Sequence, residues 1–508
     1  MTPLSTSATL DSVVDGEQCY EMARLFRIET IKFGSHEIRV GNDDFVVLVG
    51  PNNVGKSWAL RGIAGRLRNP LTETQVVTSV QLSRLATAAD FKSHLAKHYG
   101  GPGERIVGYG MNQPDSDALA CWSNLPTHGL NFLSEFLMTH LEVGARLHLV
   151  GSVAAVGLGG IPQHPIHFVF NDEDKERRLS AGFERAFGEP LTLDRCVGPQ
   201  HALRLGGVPQ RIGDEDRASP TYLRRLNELP FLGNQGDGMK SFASVLLATT
   251  CSDYDVALID EPEAFLHPPQ ALELGRILGD GGVNTQYVCA THSGDFLRGL
   301  MDSPKLPIRV LRMTRSGTVN EVAELEPNRV RELWTDSLLR FSNILDGLFH
   351  DRVVVCESDS DCRFYSAMLA ALSIDASVPK RDQFFTHGGG MSRIPLLAKA
   401  MRGLGVPVSV IADFDLLRDE GQLSRIVESL GGNWSSYRGD WQELNSFAQS
   451  QRNAAKTHYI KSALGEILAR VQTPEFPSAE ADAIRNVLST PSGWSKAKLQ
   501  GLDFFPAG

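Results

Sequence analysis

Phe45-Val46-Val47-Leu48-Val49-Gly50-Pro51-Asn52-Asn53-Val54-Gly55-Lys56-Ser57 is the stretch on which the fold turns. Its first five residues form an unbroken apolar run, the pattern of a central parallel strand buried on both faces. The next eight fit GxxxxGK[ST], and from Ser57 to Leu67 the composition turns helical. A strand, a glycine-rich turn and a helix in that order make a phosphate cradle, because the turn aims backbone N–H groups inward and the helix N-terminus adds partial positive charge. Gly50, Pro51, Asn52, Asn53, Val54 and Gly55 are expected to wrap the phosphates of ATP. Lys56 is expected to contact the β and γ phosphates, and Ser57 to ligate Mg2+.

Two further strands complete the grammar of an open α/β sheet. Val256-Ala257-Leu258-Ile259 and Gln286-Tyr287-Val288-Cys289-Ala290 are apolar runs separated by a helical stretch, Gln270 to Leu278. The first ends in Asp260-Glu261-Pro262, two acids at the strand terminus where such sheets bind ligands. Asp260 is expected to hold magnesium through water, and Glu261 to orient the water that attacks the γ phosphate. The second ends in Thr291-His292-Ser293, which sets His292 to hydrogen-bond that phosphate. Upstream, Gly233-Asn234-Gln235-Gly236-Asp237-Gly238-Met239-Lys240-Ser241 opens an apolar helix, Phe242 to Leu247.

Length and composition bound the rest. At 508 residues, with 42% hydrophobic and 22% charged residues, the chain is long enough for two or three domains. Wholesale disorder, collagen-like repeats and a membrane bundle are excluded. The weakly polar stretch Leu147 to Ile161 is interrupted by His148 and too short to span a bilayer. The N-terminal segment lacks a secretory pattern, so a cytoplasmic location is expected. Seven scattered cysteines, none in a CxxC pair, argue against a disulfide framework or a zinc knuckle. The net charge of -10 argues against an overall basic coat, though a local groove can still bind phosphates because salt screens each charge within about 10 Å.

A second region starts near residue 346. Arg352-Val353-Val354-Val355-Cys356 begins a fresh strand, followed by a helix from Cys362 to Leu372, a strand from Gln383 to Thr386, a helix from Ser392 to Leu404 and a strand from Val408 to Ile411. Glu357 ends the first of these strands, with Asp359 and Asp361 just beyond. Asp413 and Asp415 end the last. Parallel neighbours would bring both clusters to one edge, where the carboxylates repel one another unless divalent cations neutralise them. Mg2+ or Mn2+ is the expected tenant, and a pair of such ions roughly 4 Å apart activates water at a phosphodiester. The expected organisation is a loose terminus over 1–20, a P-loop ATPase domain over 21–345 and a parallel-sheet α/β domain over 346–508.

The order GPNNVGKS, QGDGMKS, LIDEPEAFLHP and ATHS resembles an ABC-type ATPase head. In such heads the glycine-rich signature of one subunit closes over ATP held by another. The resemblance thus implies a homodimer or higher homo-oligomer, with Gln235, Gly236, Asp237, Gly238 and Lys240 acting in trans. The signature departs from the LSGGQ of transporters, and Gln81 is a weak candidate for the intervening glutamine. No membrane partner domain is encoded here, and the long charged heptads of structural-maintenance and break-repair ATPases are missing between Ser57 and Gly233.

ESDSD and DFD resemble the Toprim fold of topoisomerases, primases and related nucleases. Coupled to the head, the chain resembles the OLD (overcoming lysogenization defect) family of ATP-dependent nucleases, from about Glu21 into the 420s. That resemblance implies a DNA endonuclease in antiphage defence, alongside a partner protein of the same system. It makes Glu357, Asp361, Asp413 and Asp415 metal ligands, with Asp359 able to replace one of them, and Lys496 or Lys498 the lysine that steadies the scissile phosphate. Related chains often continue beyond the point where Leu502 to Phe505 closes this one. The competing reading is an ATP-gated binding or signalling protein whose degenerate Toprim module recruits an effector. A DNA-tethering ATPase is a third.

Overall fold

The computed structural model describes residues 24–100, 104–281, 285–303, 305–317, 319–325, 343–372, 382–451, 457–471, 475–488 and 493–505. The terminus over 1–20 lies outside the described residues. By internal contacts the chain divides into two units, Met1–Val47 with Ser57–Ile308, and Leu48–Lys56 with Arg309–Gly508.

In the first unit β1 (Phe26–Phe33) and β2 (His36–Arg39) form a hairpin around Gly34, whose φ of 56° glycine adopts without strain. β3 (Phe45–Val49) is buried throughout. α1 (Lys56–Arg68) follows the phosphate loop, and β4 (Val77–Arg84) pairs antiparallel with β1. β5 (Met138–Leu141), β6 (Val256–Asp260) and β7 (Gln286–Ala290) supply a parallel core in the order β7-β6-β5. Every residue of β6 and β7 is buried, which is why both read as continuous apolar runs. The Gln286 side chain stitches the hairpin to this sheet: its Oε1 accepts from the Ile28 amide at 2.8 Å and its Nε2 donates to the Ile28 and Gly41 carbonyls.

Between β4 and β6 the chain builds two small antiparallel sheets, one from Tyr99–Gly100, Arg105–Gly108 and Met111–Pro114, the other from Val153–Ala154, Leu191–Val197 and Gln200–Leu205. α2 (Glu173–Phe187) and α3 (Asp237–Thr250) pack on one another, and α3 buries nine consecutive residues from Ser241 to Thr249. α4 (Pro268–Gly279) links β6 to β7, and α5 (Gly294–Asp302) follows β7. Those two helices touch through glycines: a Cβ on Gly299 would stand 2.0 Å from the Leu272 carbonyl oxygen.

The second unit opens with an antiparallel pair, β8 (Ile308–Ser316) and β9 (Val319–Leu325). The Arg312 guanidinium donates to the carbonyls of Gly405 and His350, each at 2.9 Å. A parallel sheet follows, β10 (Arg352–Cys356), β11 (Gln383–His387) and β12 (Val408–Ile411), in the order β11-β10-β12. α6 (Asp359–Leu372) and α7 (Ile394–Gly403) are the crossover helices, and α8 (Gly493–Gln500) lies near the end of the chain. The alternation of strand and helix is thus the one the sequence pattern implies.

Candidate functional site

The phosphate loop has the backbone such a cradle needs. Gly50 adopts φ of 139° and Gly55 φ of 90°, and a Cβ on Gly50 would stand 2.2 Å from the Met313 carbonyl oxygen. Asn53 is left-handed too, at φ of 63°. The Asn320 side chain pins the loop by donating to the Val54 carbonyl at 2.7 Å. Lys56 is buried, its ammonium donating to the carbonyls of Gly50 at 2.7 Å and Pro51 at 2.9 Å. Its charge is thereby folded back over the loop it serves. These residues fit a polyphosphate.

At the end of β6 the Ser57 hydroxyl donates to Asp260 Oδ1 at 3.0 Å. The two oxygens expected to share a magnesium ion are therefore neighbours. Burial raises the Asp260 carboxyl above its ordinary range, with the Ser57 hydrogen bond opposing. Glu261 leaves the strand with φ of 44°, and its amide donates to the Ala290 carbonyl at 2.8 Å. That left-handed step turns the chain sharply at the strand end, a backbone strain worth roughly 1–3 kcal/mol.

Two residues that sequence reasoning missed organise this edge. Arg146, 1% exposed, donates to the carbonyls of Asp260 at 2.7 Å and Glu261 at 2.6 Å, and to the Ser241 hydroxyl at 2.9 Å. Burial lowers it to about 10, opposed first by Glu263 and then by Asp260 and Glu261. Glu263, 7% exposed, accepts from the Thr291 hydroxyl at 2.8 Å and the His292 amide at 2.9 Å. Its second oxygen has no partner, and burial raises its pKa. His292 Nδ1 lies 3.4 Å from Glu263 and 3.5 Å from Glu261, so the expected phosphate sensor stands between two carboxylates.

The glycine-rich segment caps α3. Gly236 is its N-cap, Asp237 pairs with Lys240 at 2.7 Å, and the Gln235 side-chain Nε2 donates to the Phe231 carbonyl at 3.0 Å. Gly238 is packed so tightly that a Cβ would meet the Phe265 carbonyl oxygen at 2.7 Å. Gln81 is an exposed residue of β4.

In the second unit, register places Cys356 beside Ile411, so Glu357 and Asp413 follow the ends of neighbouring parallel strands. The Lys498 ammonium pairs with Asp415 at 2.5 Å. Its pKa is raised by Asp415 first, and by the more distant charges of Asp413 and Glu357. Four of the expected residues therefore share one electrostatic field. Lys498 is carried there by α8, whose Trp494 and Ala497 are buried with Ala448 against Phe414, Leu417, Phe504 and Phe505. The Trp494 indole donates to Asn445 at 3.0 Å. The side chain of Lys496 lies outside the described residues.

The other acids have local partners. Asp361, expected as a ligand, accepts from the Ser358 amide at 3.0 Å and hydroxyl at 2.7 Å, while the Asp361 amide donates back to that hydroxyl at 3.3 Å. This is a capping box at the start of α6. Asp359 pairs with Arg363 at 2.7 Å. Glu357 keeps one buried oxygen without a hydrogen bond. Among the described residues no group of three or more His, Cys, Asp or Glu side chains is arranged to hold a metal ion. Of the four carboxylates expected as ligands, Asp361 serves the helix cap and Asp415 pairs with the lysine. Arg393 donates to the Gly388 carbonyl at 3.2 Å, and Arg225 is paired with Glu215. Arg224 donates to the Pro220 carbonyl at 3.3 Å.

A family model described as "AAA domain, putative AbiEii toxin, Type IV TA system" matches residues 212–298, the segment that holds the glycine-rich cap, Asp260, Glu261 and His292. That segment of the chain is similar to an AAA-type ATPase domain. No curated protein matches it. Among solved structures it is similar to an Smc head bound to the C-winged helix domain of ScpA, at 12% identity and a TM-score of 0.37, covering 60% of this chain and 99% of that one. It is also similar to the Smc head domain of Pyrococcus furiosus with an extended coiled coil, at 10% identity and 0.34, covering 61% and 99%. The SMC head domain of Thermotoga maritima matches at 12% identity and 0.30, covering 59% and 99%. Likeness at these scores is too loose to carry residue roles. No helix among the described residues is long and apolar enough to cross a membrane.

Proposed function

We propose that this ATPase is of the OLD type: a cytosolic, ATP-dependent DNA endonuclease in antiphage defence, whose heads pair around ATP and whose second unit is a Toprim-like nuclease. The observation that supports the reading is that Glu357 and Asp413 follow the ends of neighbouring parallel strands while Lys498, from a distant helix, pairs with Asp415. Glu261 orients the attacking water, Asp260 and Ser57 hold Mg2+, and Gly236, Asp237 and Gly238 of a second subunit close over the nucleotide. Bound ATP supplies the free energy for closure. At the second site Lys498 holds a phosphate of DNA, and Glu357, Asp413 and Asp415 are the oxygen donors for Mg2+ or Mn2+.

A specific observation favours a second reading. Lys498 already neutralises Asp415, and Asp361 is committed to a helix cap, as in a degenerate module that recruits an effector under ATP control. Titrating Mn2+ into the full chain and into Asp413→Ala separates the two. Saturable binding that the substitution abolishes supports the nuclease; its absence in both proteins supports the recruiter.

A further inference from the structure

The first unit encloses a cavity of about 400 Å³, none of whose lining residues belongs to the phosphate loop or to the ends of β6 and β7. α2 gives it Glu173, Glu176, Arg177 and Ser180, a stripe along one helical face. The strand Leu191–Val197 adds Leu191, Leu193 and Arg195 from one side, and the helix Pro220–Glu228 adds Tyr222 and Leu226, one turn apart. Leu191, Leu193, Tyr222 and Leu226 are buried and make an apolar floor. Glu176 and Ser180 are committed to the frame: the Leu193 amide donates to Glu176 Oε1 at 2.9 Å, the Leu191 amide donates to the Ser180 hydroxyl at 3.0 Å, and Arg195 pairs with Glu176 at 2.7 Å. Arg177, Arg217 and Glu173 remain, all exposed at the mouth. Arg177 has a solvent-exposed pair with Asp174, which is worth little in water, and Arg217 has no hydrogen-bonding or charged partner among the described residues.

The walls of this cavity lead to the glycine-rich segment. α2 packs on α3 through Gly182, where a Cβ would stand 2.9 Å from Leu246 Cδ1. The helix Pro220–Glu228 runs through residues 229–235 into the Gly236 cap, and the small sheet clasps that link: Arg204 donates to the Leu229 carbonyl at 2.6 Å and the Leu205 amide to the Pro230 carbonyl at 2.9 Å. A ligand that braces one wall against the other therefore bears on the start of α3 from both sides. Two guanidinium groups, one carboxylate and an apolar floor complement a small molecule that carries an anion, a cation and an apolar body together. We propose that the cavity is an effector site for a free α-amino acid with an apolar side chain, whose carboxylate meets Arg177 and Arg217, whose ammonium meets Glu173, and whose occupancy changes ATP turnover. The binding stands on the cavity alone, while the effect on turnover rests on the ATPase reading.

The test titrates L-leucine, L-phenylalanine, N-acetylphenylalanine and phenylalaninamide into the full chain by calorimetry, for the wild type, Arg177→Ala/Arg217→Ala and Glu173→Gln. ATP hydrolysis is followed with and without L-phenylalanine. The site predicts saturable binding of the two zwitterions and about tenfold weaker binding of each blocked derivative. The double arginine variant should lose about tenfold in affinity for L-phenylalanine and nothing for phenylalaninamide, which has no carboxylate. Glu173→Gln should lose a similar factor for L-phenylalanine and nothing for N-acetylphenylalanine, which has no ammonium. All three side chains are exposed, so the variants keep the fold. No saturable binding by the wild type, or unchanged affinity in both variants, overturns the site. Binding that leaves turnover within about twofold of its unliganded rate overturns the effector role. A wild type that hydrolyses no ATP in the absence of amino acid fails the ATPase reading instead, and the titrations still decide the site.

Discussion

Acids gather at the C-terminal ends of parallel strands in both units, yet the protein keeps the two groups in opposite ways. At the end of β6, Asp260 and Glu263 are buried, and the strand-end carbonyls are held by Arg146, which is buried as well. At the ends of β10 and β12, Glu357 and Asp413 are partly or wholly exposed to water, and Asp415 is balanced by Lys498 from a helix near the end of the chain. A buried charge without partners costs several kcal/mol, so the first edge must be wired before any ligand arrives. An exposed ion pair is worth little, so the second edge can exchange its lysine for another cation or present it to a phosphate. The contrast separates a preorganised nucleotide edge from an adaptable one.

The largest effect expected from breaking that contrast is at the phosphate loop. Lys56→Ala removes the only charge in GPNNVGKS, and ATP hydrolysis should fall at least about 100-fold in a steady-state assay. Glu261→Gln should bind ATP while failing to turn it over, and a closed dimer should accumulate in size-exclusion chromatography. Unchanged turnover in both variants contradicts the assignment.

Next comes the wiring. Arg146→Ala leaves the carbonyls of Asp260 and Glu261 and the Ser241 hydroxyl without their shared donor. It should cost about 3 kcal/mol in chemical denaturation, together with loss of ATP hydrolysis. A neutral result would mean that the β6 edge is not held from within.

Acid should strike the first unit through two buried histidines. His94 and His98 are both pushed down to about 4, by burial first and then by the positive charge of Lys97. Because their folded values lie below the unfolded value of about 6.5, the stability they contribute is complete above that pH and is lost as pH falls towards 4. Each should cost about 2 kcal/mol by pH 5. Thermal melts at pH 7 and 5 check this, and a His94→Gln/His98→Gln variant should show a shallower dependence. An identical slope in the variant would reject the cause. The smallest effect is at the second edge: Lys498→Ala should leave the melting temperature unchanged while Mn2+ binding tightens, because the pair it breaks is exposed.

The sequence made much of the strand skeleton readable because buried parallel strands are written as apolar runs; β3, β6, β7 and β10 fall where such runs stand, while β11 and β12 are half-buried and carry polar residues. It also located the acids that end them. Arg146 and Glu263 were not legible. A charged residue in an irregular segment carries no periodic signal, and only the fold reveals that one turns inward to two carbonyls and the other accepts from the end of β7. Lys498 was one of two candidates, and its pairing with Asp415 depends on the burial of Trp494 and Ala497, which the sequence does not display. Asp361 is a metal ligand by resemblance, whereas its spacing from Ser358 is the one a capping box requires.

The most direct test of the account follows plasmid cleavage and ATP hydrolysis together, in Mg2+, for the wild type and Asp413→Ala. The account predicts that the wild type nicks or linearises DNA and that the variant loses cutting while its ATP turnover stays intact. Equal cutting by Asp413→Ala would contradict it.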